Sequence, residues 1–169
     1  MRVAEIGDNC IDVYERIGKK YPTGNVVDTG VNLQKLGIPV SIISTTGNDE
    51  NGKWMLETLK KEGVDISHLK IGDGATAVTY MDMDGKDRVH GDYVEGVLEN
   101  IVFDEEDIDG VLIATLFTDS VVRLSRELDA RDIPYVYVDS NIVGEHQLAY
   151  FGTESYDAGF IAAKLLMSQ

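Results

Sequence analysis

Several features that point to particular classes of protein are missing from this sequence. It contains one cysteine, Cys10, so no internal disulfide can form and no second thiol is present to build a metal cluster. We expect Cys10 to be a small buried residue. No stretch approaches the roughly 20 consecutive apolar residues of a membrane span, and the N-terminus lacks the apolar region of a signal peptide. These absences predict a cytoplasmic protein with no membrane partner.

Basic residues are also few. Fifteen Lys and Arg stand against thirty Asp and Glu, which gives a formal net charge of -15 at pH 7. A surface of that sign repels nucleic-acid backbones and anionic lipid heads, so neither is an expected partner. Of the 169 residues, 43% are hydrophobic and 27% are charged, which is typical of a folded protein. The length suits a single domain that comprises residues 1–169.

The first part of the chain alternates strand and helix patterns. Residues 2–6 are an apolar run that predicts an opening strand, and alternating apolar residues after it predict a second extended segment. The apolar spacing over residues 27–36 predicts a helix that ends at Gly37. Residues 40–44 predict a buried strand, and residues 50–63 predict the next helix.

Residues 75–93 have a different pattern. Two extended segments flank an Asp-Gly pair at residues 84–85, which is typical of the tight turn of a β-hairpin. The apolar side chains of Val78, Tyr80 and Met83 are expected on one face of this hairpin. If exposed, that face would promote association, so we expect a homodimer through residues 75–93. The alternative is that Tyr80 and Met83 pack on their own sheet.

From residue 111 onward the pattern becomes regular. Apolar strands alternate with amphipathic helices, which predicts a parallel sheet covered on both faces. The fold class is therefore α/β, a Rossmann-like three-layer sandwich with a mostly parallel sheet plus a β-hairpin. Thr153 or Ser155 is expected to cap the last helix. The predicted elements are strand 111–116, helix 119–130, strands 135–138 and 148–151, and helix 155–167, in which Ala158, Ile161, Ala162 and Leu165 have the i, i+3, i+4, i+7 spacing of an amphipathic helix.

Short motifs occur in a fixed order through residues 1–109. They are EIGDNCID at residues 5–12, GNVV at 24–27, LGIP at 36–39, GNDENG at 47–52 and EGVD at 62–65. Together they resemble the N-terminal part of the ribokinase-like (PfkB) sugar kinases, and most closely the fructoselysine 6-kinase branch. The RVHGDY run at residues 88–93 is typical of that branch, and the hairpin of residues 75–93 falls where the family has its lid. The resemblance implies a lid-like β-hairpin and a sugar ligand.

The resemblance also implies which residues bind the sugar. In such kinases a carboxylate after the first strand and a glycine-rich loop at the start of the first helix hold the substrate. Carried over, Asp12 binds sugar hydroxyls, and Gly24, Asn25 and Asp28 form the loop that approaches the sugar. Asp92 in the hairpin is a further candidate. The alternatives are a surface acid at Asp12 and an ordinary helix-entry turn, and Asp28 departs from the asparagine that is usual in the family.

The catalytic motif of that family is missing from the sequence. In the family a Gly-Ala-Gly-Asp string supplies the aspartate that takes the proton from the sugar hydroxyl and the backbone N–H groups that stabilise the transferred phosphoryl group. Neither this string nor a Walker-type phosphate loop occurs in the 169 residues. The three histidines lack the spacing of metal ligands. We therefore expect no catalytic residue, no metal site and no cofactor, with ATP and Mg²⁺ relevant only if kinase activity survives.

The motifs after residue 109 are of another kind. IPYVYVDS at residues 133–140 and YDAGFIAAKLL at 156–166 resemble the sugar-binding domain shared by LacI-type regulators and periplasmic binding proteins. In that family a polar residue just past the VDS strand contacts the sugar, which implies Asp139 and also Asn141 as ligands. The alternative is an aspartate that caps a loop.

The two resemblances lead to a hypothesis of mixed origin. Residues 1–109 and 110–169 would be fragments of two proteins, joined as an engineered or recombined chimera that has no complete active site, is not an enzyme and keeps at most residual sugar binding. One alternative is a truncated PfkB-type carbohydrate kinase, which transfers phosphate from ATP to a sugar or fructosamine hydroxyl and is completed by a partner chain. The other alternative is a sugar-binding module.

Overall fold

The computed structural model describes residues 2–103, 108–114 and 117–168, which form two β-sheets and four α-helices. Residues 115 and 116 of the strand predicted over residues 111–116 therefore lie outside the described residues. The strands are β1 (Val3–Gly7), β2 (Cys10–Tyr14), β3 (Lys19–Thr23), β4 (Val40–Gly47), β5 (Leu69–Gly72), β6 (Val78–Asp84), β7 (Asp87–Val94), β8 (Gly110–Ala114), β9 (Tyr135–Val138) and β10 (Ala149–Phe151), and the helices are α1 (Asn25–Lys35), α2 (Glu50–Lys61), α3 (Thr118–Ala130) and α4 (Ser155–Met167).

The larger sheet has six parallel strands in the order β10-β9-β8-β1-β4-β5. Strand β1 lies inside this sheet, with β4 on one side and β8 on the other. The strand order thus reverses at β1, and in open α/β sheets the crevice at such a point is the usual place for a ligand. Because β8 pairs with β1 from Val3 opposite Gly110 to Gly7 opposite Ala114, the sheet continues across the join predicted near residue 109.

Helices cover both faces of the larger sheet. Neighbouring residues of a strand point to opposite faces, so Ile42 and Ile43 of β4 belong to different apolar clusters. Ile42 packs with buried side chains of α1 and α2, whereas Ile43 packs with those of α3. The predicted α/β fold with a mostly parallel sheet is confirmed.

The smaller sheet has four strands in the order β3-β2-β6-β7. The hairpin of β6 and β7 joins β2 of the N-terminal segment, and this β2–β6 pair is parallel. Asp84 pairs with Asp87, so the two-residue turn is at residues 85–86, one position later than the sequence pattern predicts. Since side chains alternate along a strand, Val78 and Tyr80 share one face and Met83 lies on the other, which corrects the single apolar face predicted for the hairpin.

Two strands were not predicted from the sequence. The β3 segment, KKYPT, has two lysines and a proline, a composition typical of an edge strand, and β3 lies at the edge of the smaller sheet. The β5 segment is four residues long and buries only Leu69, so it carries almost no alternating pattern.

Helix α4 is placed as predicted, but its surroundings are not. Its N-cap is Glu154, whose side chain accepts a hydrogen bond from the Tyr156 N–H at 3.3 Å, so neither Thr153 nor Ser155 is the cap. Every α4 side chain that the structure describes is exposed, so the apolar residues with helical spacing, among them Ile161 and Leu165, are not covered by the described part of the chain. None of the helices in the described parts of the chain is long and apolar enough to cross a membrane.

Asp49 ties the N-terminus of α2 to the segment that leads into the hairpin. Its carboxylate accepts hydrogen bonds from the Gly52 N–H at 2.8 Å, the Thr76 hydroxyl at 2.6 Å and the Thr76 N–H at 3.1 Å. Burial alone would raise the pKa of Asp49, but these hydrogen bonds outweigh it and hold the pKa below its ordinary value.

We expect Asp49→Ala to lower the free energy of unfolding at pH 7 by about 2 kcal/mol, because one substitution removes a helix cap and leaves buried donors without a partner. This contribution is present at neutral pH and is lost as the pH falls below about 4, because the carboxylate is the form that accepts the hydrogen bonds. Urea unfolding measures the loss. Glu57→Ala on the exposed face of α2 is the control, and equal losses in the two variants would contradict the assignment.

Candidate functional site

The two sheets meet at Asp8 and Asn9, the two residues between β1 and β2. The Asn9 side-chain NH₂ donates to the Ser44 hydroxyl at 2.7 Å and to the Thr45 carbonyl at 3.0 Å. The Ser44 hydroxyl in turn donates to the Gly7 carbonyl at 2.6 Å. This junction is therefore fixed to the carboxyl end of β4, next to the point where the strand order reverses.

Asp12 lies on β2, three residues beyond this junction. Its side chain is 11% exposed, and one carboxylate oxygen lies 3.9 Å from a guanidinium nitrogen of Arg88 in the hairpin. Burial raises the pKa of Asp12, while the charges of Arg88 and His90 act to lower it and the charge of Asp28 acts to raise it. Asp12 is thus a mostly buried carboxylate that faces both the hairpin and the start of α1.

The loop at the start of α1 packs directly on the junction. Gly24 has a φ of +112°, and a Cβ atom there would lie 2.5 Å from the Asp8 carbonyl oxygen, so only glycine fits. The Asn25 N–H donates to the Asp8 carboxylate at 3.4 Å. The Thr23 hydroxyl donates to the Asp28 carboxylate at 3.2 Å. The structure therefore brings the predicted loop residues next to Asp8 and close to Asp12.

The remaining candidates, Asp139, Asp92 and Asn141, lie in different places. Asp139, just past β9, is near enough to Asp8 for its charge to raise the pKa of the Asp8 carboxyl, so it belongs to the periphery of the same site. Asp92 is exposed and lines a separate groove of about 290 Å³ with Arg16 and Tyr80. Asp92 is therefore not brought together with Asp12. Asn141 lines a small cavity at the carboxyl end of β9.

The hairpin adds groups that the sequence did not single out. The Cys10 thiol lies 3.6 Å from the Thr79 hydroxyl, and burial raises the pKa of Cys10 to about 11. Burial, together with the nearby Cys10 and Asp8, raises the pKa of the Tyr93 hydroxyl. The Cys10 thiol and the Tyr93 hydroxyl therefore both lie near Asp8. Cys10 is 6% exposed, as expected for a small buried residue.

Carboxyl groups dominate the charge of the site. Glu5 is fully buried beneath α1, and burial raises its pKa to about 8, with a further increase from the charges of Asp8 and Asp28. Asp8 is 8% exposed, and burial also raises its pKa. In the described parts of the chain, no group of three or more His, Cys, Asp or Glu side chains is arranged to hold a metal ion.

The family was identified by comparison with known proteins. Residues 11–100, more than half of the chain, match the model of the family described as pfkB family carbohydrate kinase. The chain belongs to this pfkB family. It is 40% identical over 105 residues to the fructoselysine 6-kinase of Escherichia coli (strain K12), a match that covers 62% of this chain and 40% of that protein.

Other relatives agree with this assignment. The fructosamine kinase FrlD of Bacillus subtilis (strain 168) is 30% identical over 134 residues, covering 76% of this chain and 47% of the relative. The crystal structure of an uncharacterized sugar kinase from Pyrococcus horikoshii superposes with a TM-score of 0.67 at 20% identity, covering 83% of this chain and 56% of that one. The second match supports the fold alone. The chain spans less than half the length of the fructoselysine 6-kinase and of the fructosamine kinase.

The comparisons change two expectations from the sequence. The expectation that the protein is not an enzyme is wrong, because the chain belongs to a family of carbohydrate kinases and its curated relatives are named kinases. Residues 1–109 make up about two thirds of the chain, so the matches that cover 76% and 83% extend past the predicted join. The comparisons give no support to a LacI-like second fragment.

Proposed function

We propose that this chain provides the sugar-binding part of a pfkB-type carbohydrate kinase whose substrate is a fructosamine. The observation that carries the proposal is the arrangement of Asp12, the Gly24 loop and Asp8 at the carboxyl end of β1. The names of two relatives, a fructoselysine 6-kinase and a fructosamine kinase, support the substrate class. A chimera is not needed to explain a parallel sheet that runs without interruption through both halves of the sequence.

Asp12 is the proposed ligand of the sugar hydroxyls. A carboxylate accepts hydrogen bonds on both oxygens, so a single aspartate can orient two neighbouring hydroxyl groups. The partial burial of Asp12 reduces competition from water and raises its pKa, and the charge of Arg88 at 3.9 Å acts against this increase. The absence of a Cβ at Gly24 lets the Gly24–Asn25 turn pack directly on the Asp8 carbonyl, which holds the start of α1 next to the junction.

Phosphoryl transfer would need more than these groups. ATP with Mg²⁺ supplies the phosphoryl group in the proposed reaction, but the described residues contain no carboxylate cluster suited to the metal ion. The sequence also has no Gly-Ala-Gly-Asp string. We therefore assign to the residues of this chain the binding and orientation of the sugar, and we assign no proton transfer to them. A homodimer through residues 75–93, with Tyr80 and Val89 exposed on the hairpin, remains a further proposal.

Titration calorimetry with 1-amino-1-deoxyfructose, a simple fructosamine, tests the proposed function. We expect binding at millimolar or lower concentration, and we expect Asp12→Asn to weaken it by about tenfold or more, because one charged hydrogen-bond acceptor for two hydroxyls is lost. Asp87→Asn at the exposed hairpin turn removes the same charge outside the site and is the matched control. No binding by the unsubstituted chain, or an unchanged affinity in Asp12→Asn, would refute the proposal.

A further inference from the structure

Asp8, at the junction of the two sheets, is a buried acidic residue with one carboxylate oxygen that has no hydrogen-bond partner. One carboxylate oxygen accepts a long hydrogen bond of 3.4 Å from the Asn25 N–H. The other, Oδ1, is buried and has no hydrogen-bond partner. The next residue, Asn9, is 1% exposed and also has a buried Oδ1 without a partner. A buried acceptor without a donor costs about 1–3 kcal/mol, so such an atom needs an explanation.

Other carboxyl groups near Asp8 increase the free-energy cost of burying its carboxylate. The charge of Asp8 raises the pKa of Glu5, and the charge of Asp139 raises the pKa of Asp8. Among the described residues Asp8 forms no ion pair, and the nearest cationic side chain that acts on the site, Arg88, faces Asp12 instead. The floor of the site is therefore acidic, buried and without its own cation.

We infer that Asp8 binds the positively charged nitrogen of the substrate and so selects amino sugars over neutral sugars. This inference rests on the proposed sugar site. A protonated amine donates up to three hydrogen bonds and carries the charge that the floor of the site lacks. It would supply the donor that Oδ1 of Asp8 lacks, while Asp12 holds the hydroxyls on the neighbouring strand.

A structural role for Asp8 has to be separated from this one. Gly24, the N-cap of α1, has no side chain, so Asp8 replaces a capping residue through its contact with the Asn25 N–H. Asparagine keeps the acceptor oxygen for this contact but removes the charge. Because Oδ1 is buried, an amine reaches it only after a small side-chain adjustment, which is common when a ligand binds.

The test compares two ligands and two variants by titration calorimetry at pH 6. The ligands are 1-amino-1-deoxyfructose, which is cationic, and 1-acetamido-1-deoxyfructose, which is neutral and otherwise similar. We expect the unsubstituted chain to prefer the cationic ligand by about 30-fold or more, as for a partly buried charge pair. Asp8→Asn should abolish this preference, because it should weaken binding of the cationic ligand much more than binding of the neutral ligand. Glu57→Gln on the exposed face of α2, which removes one charge far from the site, should keep the preference.

Each other outcome has a definite meaning. Equal affinity of the unsubstituted chain for the two ligands would overturn the inference and leave the proposed sugar site standing. Binding of neither ligand would refute the proposed function and the inference with it. An Asp8→Asn variant that folds, as judged by its urea midpoint, but loses both ligands equally would show that Asp8 only positions α1. If the Asp8→Asn variant does not fold, the preference for the cationic ligand is measured with Asp8→Glu. This variant keeps the negative charge and should retain at least part of the preference. No preference in a folded Asp8→Glu protein would count against the inference.

Discussion

At pH 8 the Glu5→Gln variant is expected to be more stable than the unsubstituted chain by several kcal/mol, and at pH 5 the two should differ little. Glu5 is 0% exposed, and neither carboxylate oxygen has a well-formed hydrogen bond, although the Thr29 hydroxyl is near enough to act on it. Burying an ionised carboxylate under these conditions is unfavourable. Glutamine has nearly the same shape and carries no charge at any pH.

The sign of the pH dependence follows from the pKa of Glu5. The pKa is about 8 in the folded protein and near the ordinary value of 4.5 in the unfolded chain. Between these values the folded state binds the extra proton, so the free energy of unfolding decreases as the pH rises, by about 1.4 kcal/mol per pH unit. The contribution is fully present below pH 4.5 and is lost as the pH passes through 8.

Urea unfolding at pH 5, 6.5 and 8 measures this effect. The unsubstituted chain should lose stability steadily over the series, and the slope should be much smaller in Glu5→Gln. Glu57→Gln, at an exposed position of α2, is the matched control and should keep the slope of the unsubstituted chain. Parallel curves for the unsubstituted chain and Glu5→Gln would show that Glu5 is not the residue responsible.

Gly52→Ala is expected to destabilise the fold by about 3 kcal/mol or more, because the added methyl group has no space. Gly52 is buried in the first turn of α2, and a Cβ there would collide with the backbone carbonyl of Gly47 and lie 3.0 Å from the Thr76 hydroxyl. Backbone atoms at the end of β4 cannot rotate away as a flexible side chain can. Relief would require α2 to move away from β4.

Gly159→Ala, the same substitution at an exposed helical position, is expected to stabilise the fold instead. Gly159 is also helical, but nothing lies within 4 Å of the Cβ that alanine would add. Only helix propensity then matters, so a gain of up to about 1 kcal/mol is expected. Thermal or urea unfolding of the two variants measures both effects. Equal effects in Gly52→Ala and Gly159→Ala would mean that the close contact at Gly52 does not restrict the fold.

Much of the larger sheet could be predicted from the sequence because its strands are apolar and buried. β4 is an example, since all eight of its residues are buried and its apolar run has no other explanation. The smaller sheet was harder. Its β2–β6 pair joins residues that are far apart in the sequence, and no local pattern specifies which strands become neighbours. The α4 side chains illustrate another limit. Apolar spacing predicts that a helix has an apolar face, but it does not show whether another element packs on that face.

The candidate site was found only in part. Asp12 and the loop at Gly24 were identified through a family resemblance, and the structure places them near each other. Asp8 was read as one residue of a motif, because a buried acid without a cation cannot be recognised until its neighbours are known. Asp92 was a candidate because it lies in the RVHGDY run, and the structure places it in a separate groove, next to the irregular pairing of β6 with β7.

The wrong expectation about catalysis has a simple cause. It was drawn from motifs that the 169 residues lack, while the family is identified by motifs that they contain. Because the chain spans 40% of one kinase relative and 47% of another, missing motifs say little about membership of the family.

The short connection between the two sheets has a mechanical consequence. Only Asp8 and Asn9 separate β1 from β2, and Asn9 is anchored to the end of β4. Rocking of the four-stranded sheet against the six-stranded one would therefore change the backbone torsions at this pivot, together with those of the other segments that pass between the sheets. The pivot carries the carboxylate that would meet the amine, so occupancy of that position and the tilt between the sheets would be linked at this short connection.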